Sequence, residues 1–291
     1  MRKPYWLNKK IDFNLCYRMR KLLKELHLYT VCEESKCPNI SECFSKNTAT
    51  FMILGNICTR NCLFCGVKKG NPQGLVDKDE PEKIKEAVKR LKLKYVVITS
   101  PTRDDLEDKG ANQFYEVIKA VKSLNFVEAV EVLVPDFCGD KESIKKVLEA
   151  NPTVFSHNIE TTPFLYPFVR KGAFYKRSLK VLDYAKRINP QVYTKSAIIL
   201  GLGEKEEEVV KVLKDLQKVN CDFLSIGQYL APSKKHWPVK RFVTPSEFRK
   251  WEDLAYSLGF KKVKASPYIR SSYLASTYLS REKPTQPTRL N

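Results

Sequence analysis

Hydrophobic and polar positions follow a regular rhythm from about residue 50 onward. Short runs rich in β-branched and aromatic residues are separated by longer stretches in which apolar residues have helical spacing. This rhythm is typical of repeated strand–helix units. The six predicted strands cover residues 51–54, 95–99, 129–134, 153–158, 192–200 and 222–229.

The intervening stretches predict amphipathic helices. In the clearest of them, Phe114, Val117, Ile118, Val121 and Leu124 form one apolar face. Six successive strand–helix units predict an α/β fold with a parallel sheet, because each strand must return by a right-handed helical crossover. An open doubly wound sheet and a partial barrel both fit the pattern. The other predicted helices include residues 84–91, 140–149, 172–188, 204–218 and 244–258.

The composition fits a folded, basic protein. Of the 291 residues, 43% are hydrophobic, and 52 lysines and arginines oppose 33 acidic residues, a net charge of +19. Such an excess favours nucleic acid, an acidic protein or an anionic membrane surface as partner, and it fits a solvated lysine-rich surface equally well. No apolar stretch reaches the length of a membrane span or of a signal-peptide core. We therefore expect a cytoplasmic protein.

Six of the nine cysteines lie between residues 32 and 65. An odd count in a long chain without an expected secretion signal argues against a disulfide framework, and the clustering indicates a shared ligand. The remaining three, Cys16, Cys138 and Cys221, are predicted to be small buried hydrophobic side chains.

Cys58, Cys62 and Cys65, the second triad, have the spacing C-x3-C-x2-C and directly follow the first predicted strand. Structural zinc normally has paired C-x2-C units and four protein ligands, whereas three thiolates on a cubane iron–sulfur cluster leave one iron open. The motif resembles the signature of the radical S-adenosylmethionine superfamily. In that superfamily the open iron binds the methionine moiety, and one electron releases a 5′-deoxyadenosyl radical.

Cys32, Cys37 and Cys43, the first triad, have the spacing C-x4-C-x5-C. Three thiols at this density beside a cluster motif predict a second cluster that contributes chemistry. The combination of both triads with an RSSY segment at 270–273 resembles lipoyl synthase over nearly the whole chain. The matching segments are residues 32–43, 49–67, 98–111, 130–140, 157–162, 195–204, 226–233 and 267–276.

The resemblance implies a partial (β/α)6 TIM-type barrel of the radical S-adenosylmethionine kind with N- and C-terminal extensions. Residues 1–49 would form the N-terminal extension with the first triad, and residues 50–259 the barrel. Residues 260–291 would form the C-terminal extension, with the RSSY segment and a loosely held tail beyond Ser280.

The resemblance also implies the reaction, in which two sulfur atoms are inserted at C6 and C8 of a protein-bound octanoyl chain. The cofactors would be two [4Fe-4S] clusters and S-adenosylmethionine, because unactivated C–H bonds require radical chemistry. The second triad would hold the radical-generating cluster. The first triad, with Ser272 as the fourth ligand, would hold the cluster that donates sulfur.

Four further residues resemble contacts of S-adenosylmethionine in the superfamily. Phe64 would meet the adenine, although plain packing explains it as well. Asn158, Glu160 and Arg170 lie at or beyond the end of the fourth predicted strand, and an ordinary polar strand end is the alternative for them. The sequence departs from the family at Leu274, where a histidine is frequent, and at residues 101–102.

The implied partners are an octanoylated lipoyl carrier protein or domain, acidic in character, an electron donor such as ferredoxin or flavodoxin, and an iron–sulfur carrier. Nucleic acid and membrane are not expected as partners. Two other classes remain open: another radical enzyme, either biotin-synthase-like or a methylthiotransferase, and a zinc-stapled nucleic-acid-binding module. The nucleic-acid-binding module would explain the positive net charge, but the sequence shows neither a recognition helix nor C2H2 spacing.

Overall fold

A computed structural model describes residues 2–280 of the chain, and the predicted loose tail beyond Ser280 lies outside them. The ten strands of this part are β1 Tyr29–Thr30, β2 Thr50–Met52, β3 Ile57–Cys58, β4 Lys68–Lys69, β5 Tyr95–Thr99, β6 Ala129–Leu133, β7 Val154–Ser156, β8 Tyr193–Leu200, β9 Phe223–Gln228 and β10 Lys262–Ala265. The ten α-helices are α1 Tyr17–Glu25, α2 Val31–Glu34, α3 Ile40–Ser45, α4 Glu80–Leu91, α5 Ala111–Lys122, α6 Lys141–Glu149, α7 Tyr166–Val169, α8 Tyr175–Ile188, α9 Glu206–Lys218 and α10 Pro245–Ser257.

The main sheet has eight strands in the order β1-β2-β5-β6-β7-β8-β9-β10. From β2 to β10 every neighbouring pair is parallel. A helix of at least nine residues lies between each of these strands and the next, in the order α4, α5, α6, α8, α9 and α10, and the short helix α7 also lies between β7 and β8. The six predicted strand–helix units are therefore confirmed, and their sequential order is that of a partial TIM-type barrel.

Two strands of the sheet were not predicted. β1 pairs with β2 in antiparallel fashion, and β10 pairs in parallel with β9. β10 lies in the segment that the sequence placed outside the repeat. Its four residues Lys262–Ala265 alternate lysine with an apolar residue, and only Val263 is fully buried, so the strand lacks the apolar run that marks the others.

The helices form where their sequences favour them. All four apolar residues that α5 presents at its centre, from Phe114 to Val121, are completely buried against the sheet. Helix α10 begins with a capping box in which Thr244 and Glu247 bind each other's backbone N–H groups, with Pro245 in the first turn. No helix among residues 2–280 is both long enough and apolar enough to cross a bilayer.

Candidate active site

The second triad lies in a loop, residues 58–65, that begins at the end of β3. Its backbone is bound on two sides. Thr59 N–H donates to Thr102 O at 3.0 Å, and Leu63 N–H donates to Val169 O at 2.8 Å. Cys62 forms an isolated β-bridge with Arg170. The loop is therefore held by hydrogen bonds of its backbone. Its three thiols remain available to bind one ligand.

The thiols of the second triad are close enough to influence one another. Burial, then the neighbouring Cys62 and Cys58, raise the pKa of Cys65 to about 12. Burial also raises the pKa of Cys62, which the charge of Arg170 partly offsets. Because thiolates are the species that bind iron, a metal at this site must displace the protons.

Arg60, between the first two cysteines of the loop, is a positioning residue that sequence reasoning missed. Its guanidinium binds Asp104 Oδ2 and Asp136 Oδ1, each at 2.7 Å, and Arg177 binds the other oxygen of Asp136 at 2.7 Å. Burial alone would raise the pKa of Asp136, but Arg60 holds it far below its usual range. The sequence signal that could have revealed this group is Asp136, a charged residue just beyond the end of β6, the end of a barrel strand where functional residues lie.

Cys138 corrects a prediction. It is exposed, not buried, whereas Cys16 and Cys221 are buried as expected. Cys138 lies in the short turn Phe137–Gly139 with a positive φ of 55°, which directs its side chain away from the core. Its Sγ lies 3.1 Å from Asp104 Oδ1.

The first triad is brought together by two short helices. Cys32 lies in α2 and Cys43 in α3, with Cys37 in the connection between them. Burial, then Cys37, raise the pKa of Cys43 to about 11. Burial and both neighbouring thiols raise the pKa of Cys32 as well. The three thiols therefore share one site.

Ser272 lies beside the first triad. It lines one cavity with Cys32 and Cys37 and an adjoining one with Cys43. The turn that carries it is closed by a hydrogen bond from Tyr273 N–H to Arg270 O at 3.0 Å. The structure thus brings the predicted fourth ligand next to the three cysteines, from the opposite end of the chain.

Three hydrogen bonds hold together helix α3, its N-cap Asn39, Lys9 and the segment around the RSSY turn. Tyr273 Oη donates to Glu42 Oε1 at 2.8 Å, and Lys9 Nζ donates to Glu42 Oε2 at 2.9 Å. Asn39 Nδ2 donates to Tyr268 O at 2.8 Å. The hydrogen bond from Lys9, followed by that from Tyr273, lowers the pKa of Glu42 to about 2. These contacts join residues that sequence reasoning had not singled out.

Members of both triads, Cys32 and Cys37 of the first and Cys65 of the second, line one cavity of about 340 Å³. The backbones that carry the two triads approach each other closely. A Cβ on Gly66 would lie 3.1 Å from the carbonyl oxygen of Ser35, which lies between Cys32 and Cys37. Apolar side chains form much of the wall. The lining residues include Cys32, Cys37, Phe64, Cys65, Leu133, Asn158, Glu160, Ile198, Ile199, Ile269 and Ser272.

Asn158 and Glu160 present polar groups to this cavity. Asn158 Nδ2 donates to Glu160 Oε1 at 3.0 Å, while Asn158 Oδ1 is buried without a hydrogen-bond partner. Burial raises the pKa of Glu160, partly offset by Arg170. An unpaired buried acceptor beside a carboxylate suits a ligand that brings N–H donors.

Arg170 is placed differently from the other three predicted contacts of S-adenosylmethionine. It does not line the cavity. Its Nη1 donates to Ile159 O at 3.1 Å and to Tyr166 Oη at 2.6 Å, so its described contacts are with protein groups behind the second triad. Phe64, by contrast, lines the cavity beside Cys65.

The donor sets fit iron–sulfur clusters. Within residues 2–280, no three histidine, cysteine or carboxylate side chains lie together at the spacing of a single metal ion. A four-iron cluster is wider than one ion, so its thiolates stand around a volume. Each triad supplies three neighbouring thiols, the ligand type that such clusters use, and at least one thiol of each triad lines the cavity.

Comparisons with known proteins agree with this site. Residues 52–216 match the model of the Radical SAM superfamily. The chain is 58% identical to a lipoyl synthase of Caldicellulosiruptor saccharolyticus, over 94% of this chain and 96% of that protein. It is 56% identical to a lipoyl synthase of Aquifex aeolicus, over 91% and 96%.

Solved structures share the fold at low sequence identity. Methylornithine synthase has a TM-score of 0.54 at 16% identity, covering 92% of this chain and 86% of that one. SuiB of Streptococcus suis, solved with S-adenosylmethionine bound, has a TM-score of 0.56 at 12% identity, covering 88% and 62%. With both triads, the partial barrel and relatives matched over nearly their full length, the chain belongs to the lipoyl synthase family of the radical S-adenosylmethionine superfamily.

Proposed function

We propose that this enzyme inserts two sulfur atoms at C6 and C8 of an octanoyl chain carried by a protein, as a lipoyl synthase does. The observation that carries the proposal is one cavity lined by Cys32 and Cys37 of the first triad, Cys65 of the second triad and Ser272. Such an arrangement allows a radical centre and a sulfur source to reach the same carbon atoms.

When bound, the cluster of the second triad with S-adenosylmethionine supplies a carbon-centred radical, and the cluster of the first triad supplies sulfur. The chain's own residues bind and orient. Leu133, Ile198, Ile199 and Ile269 give the cavity apolar walls, which would bind the octanoyl chain and exclude water from the reacting carbons.

Polar residues of the cavity would orient S-adenosylmethionine. The free Oδ1 of Asn158 and the carboxylate of Glu160 are acceptors for an ammonium group. Phe64 offers a ring face to the adenine. Arg170, which lies behind the loop, would act on this site through its backbone bridge to Cys62.

Ser272 would be the fourth ligand of the first triad's cluster. An alkoxide holds iron less firmly than a thiolate does, which suits a ligand that must leave when the cluster loses sulfur. We also propose the division into residues 1–49, 50–259 and 260–291. The Tyr273–Glu42 hydrogen bond joins the two extensions, and β10 of the C-terminal segment adds the last parallel strand to the sheet of the barrel.

The proposed partners follow from the same chemistry. An octanoylated carrier domain brings the substrate, a ferredoxin or flavodoxin supplies the electron, and an iron–sulfur carrier restores the spent cluster. We place the enzyme in the cytoplasm, because all nine cysteines, which lie within residues 2–280, are free thiols, and iron binding requires reduced thiols.

The decisive experiment compares Cys37→Ala with Cys62→Ala in anaerobically reconstituted protein. Wild type should bind about eight irons, four per cubane. The Cys37→Ala enzyme should still cleave S-adenosylmethionine but form no lipoyl product, whereas Cys62→Ala should lose both activities. Mass spectrometry of an octanoylated carrier peptide after one turnover reports the product.

Two outcomes would contradict the proposal. Lipoyl product from Cys37→Ala would show that the first triad does not donate sulfur. Cleavage of S-adenosylmethionine by wild type, with the octanoyl peptide recovered free of added sulfur, would favour another radical reaction.

A further inference from the structure

Residues 161–182, a segment beside the second triad, contain only positively charged side chains among their ionised groups. The stretch contains five lysines and arginines and no carboxylate. Lys171, Lys176 and Lys180 are exposed. A cationic surface of this kind attracts an acidic partner over a distance of about one Debye length, roughly 8–10 Å in ordinary buffers.

The same stretch exposes three phenylalanines, which we call the aromatic patch. Phe164 and Phe174 are each 63% exposed and Phe168 is 48% exposed. The rings of Phe164 and Phe168 lie 5.6 Å apart, and the guanidinium of Arg177 lies 4.7 Å from the Phe174 ring. Large apolar side chains clustered in water and bordered by charge mark surfaces that another protein covers.

The aromatic patch is attached directly to the loop of the second triad. Between Phe168 and Phe174, Val169 O accepts from Leu63 N–H and Arg170 bridges Cys62. Gly172 packs against Arg60, since a Cβ there would lie 3.5 Å from Arg60 Cδ. One layer of backbone therefore separates the patch from Cys62.

The patch lies on the outer side of that loop. None of residues 161–182, all of which the structure describes, lines the cavity shared by the two triads. A carrier domain must deliver its acyl chain into that cavity. A protein seated on the patch would instead be close to Cys62 without blocking the way to the cavity.

We infer that the aromatic patch, with Lys171 and Lys176 at its edge, is the docking surface for a small acidic one-electron donor protein. The inference rests on the proposed function, because it assumes a cluster on the second triad. In each encounter the donor is oxidised by one electron and that cluster is reduced by one. No atom or proton is exchanged, and the electron crosses at the Cys62 side of the loop.

The test measures docking and electron transfer separately. Holoenzyme is titrated anaerobically with an oxidised flavodoxin by calorimetry, and reduction of the cluster by reduced flavodoxin is followed by stopped flow. Two variants alter the surface, Lys171→Glu/Lys176→Glu and Phe164→Ser/Phe168→Ser. Two control variants carry the same types of change at exposed positions elsewhere. They are Lys89→Glu/Lys119→Glu on α4 and α5, and Phe126→Ser in the loop after α5.

We expect each patch variant to bind flavodoxin at least about tenfold more weakly at low salt, a change of about 1.4 kcal/mol. Reduction by flavodoxin should slow in proportion, while reduction by dithionite stays at the wild-type rate. The two control variants should match wild type in all three measurements.

Three results would overturn the inference. The first is that both patch variants bind flavodoxin with wild-type affinity. The second is that cluster reduction slows equally with flavodoxin and with dithionite. The third is that the patch variants bind an octanoylated carrier domain more weakly while flavodoxin binding is intact. Failure of the proposed function would look different, because wild type with dithionite would then form no lipoyl product while flavodoxin binding could still be measured.

Discussion

The hydroxyl of Tyr273 helps to connect the two chain segments that surround the first triad. Tyr273 Oη donates to Glu42 Oε1 at 2.8 Å, next to Cys43 on one side and Ser272 on the other. The residues are 231 positions apart in the chain. Because a hydrogen bond to a carboxylate contributes about 1.5–3 kcal/mol, and less where it is partly exposed, this contact is strong enough to influence the site.

Tyr273→Phe tests this contact, because it removes the hydroxyl and retains the ring. We expect iron at the first triad to be lost about tenfold faster to a chelator, since Ser272 is held less firmly. The iron of the second triad should remain, and cleavage of S-adenosylmethionine should be unchanged. Iron release measured by absorbance, with electron paramagnetic resonance to assign the remaining cluster, checks the result.

Tyr5→Phe provides the control, because Tyr5 is 81% exposed and lines neither cavity that Ser272 lines. Equal iron release from wild type and Tyr273→Phe would show that the hydroxyl does not position the RSSY turn.

Strand β9 explains how the RSSY segment reaches the barrel. A Cβ on Gly227 would lie 2.1 Å from Ile269 O, so only glycine lets the C-terminal segment pack so closely on the strand. Six residues beyond Ser272, Tyr278 is buried and its Oη lies 2.7 Å from Ser225 Oγ of the same strand. The segment is therefore fixed to β9 on both sides of Ser272.

Asp222 joins the starts of three strands at the opposite edge of the sheet. Its Oδ2 accepts from Thr194 N–H at 2.8 Å and from Lys186 Nζ at 2.6 Å, while Lys261 Nζ lies 2.7 Å from Oδ1. Burial alone would raise the pKa of Asp222, but Lys186 and then Lys261 lower it below its ordinary value of 3.8. The charged form is therefore favoured by folding.

A pH dependence follows from this shift. Because the folded pKa is depressed, the stabilisation is fully present above pH 3.8 and is lost as the pH falls through the lower folded value. Asp222→Asn should lower the free energy of unfolding by about 2–4 kcal/mol at pH 7. Urea unfolding between about pH 5 and 2 should show a smaller loss of stability on acidification in the variant than in wild type.

Activity per folded molecule should stay unchanged in Asp222→Asn, since the residue lies far from the cavity. An unfolding free energy that falls equally steeply with acid in both proteins would show that Asp222 is not the titrating group.

The elements that the sequence predicted are those whose pattern is local. Six strands and their helices follow from short apolar runs and helical spacing, and both triads follow from cysteine spacing. β1 has only two residues, too few to show a period, and β10 alternates lysine with an apolar residue and lacks the apolar run of the predicted strands. The contacts of Arg60 with Asp136 and of Glu42 with Tyr273 join distant segments, and spacing along the chain carries no information about such pairs.

At the scale of the whole molecule, the net charge of +19 acts on association. Nearly every acidic residue that supports the site, such as Glu42, Asp104 and Asp136, is already paired with a cation. The excess lysines are therefore left for the surface. A carrier domain of acidic character would be attracted by this field before any specific contact forms.

We expect the kcat/KM for an octanoylated acidic carrier domain to fall at least about tenfold between roughly 50 and 300 mM salt, because the Debye length shortens over this range. The kcat at saturating carrier should change little, since the chemistry takes place inside the cavity. Because the sulfur-donating cluster is consumed, single-turnover assays over a range of carrier concentrations measure both quantities, as the second-order and the saturating rate constants. Excess dithionite removes any dependence on a protein electron donor.

A short neutral octanoyl-lysine peptide isolates the effect of charge, because it enters the same cavity without a charged domain around it. Its kcat/KM should be nearly independent of salt. If salt lowers kcat/KM equally for the peptide and the domain, then salt acts on the site itself and the surface charge does not steer the carrier. If salt changes neither, the positive surface serves solvation alone, and recognition of the carrier depends on contacts at the rim of the cavity.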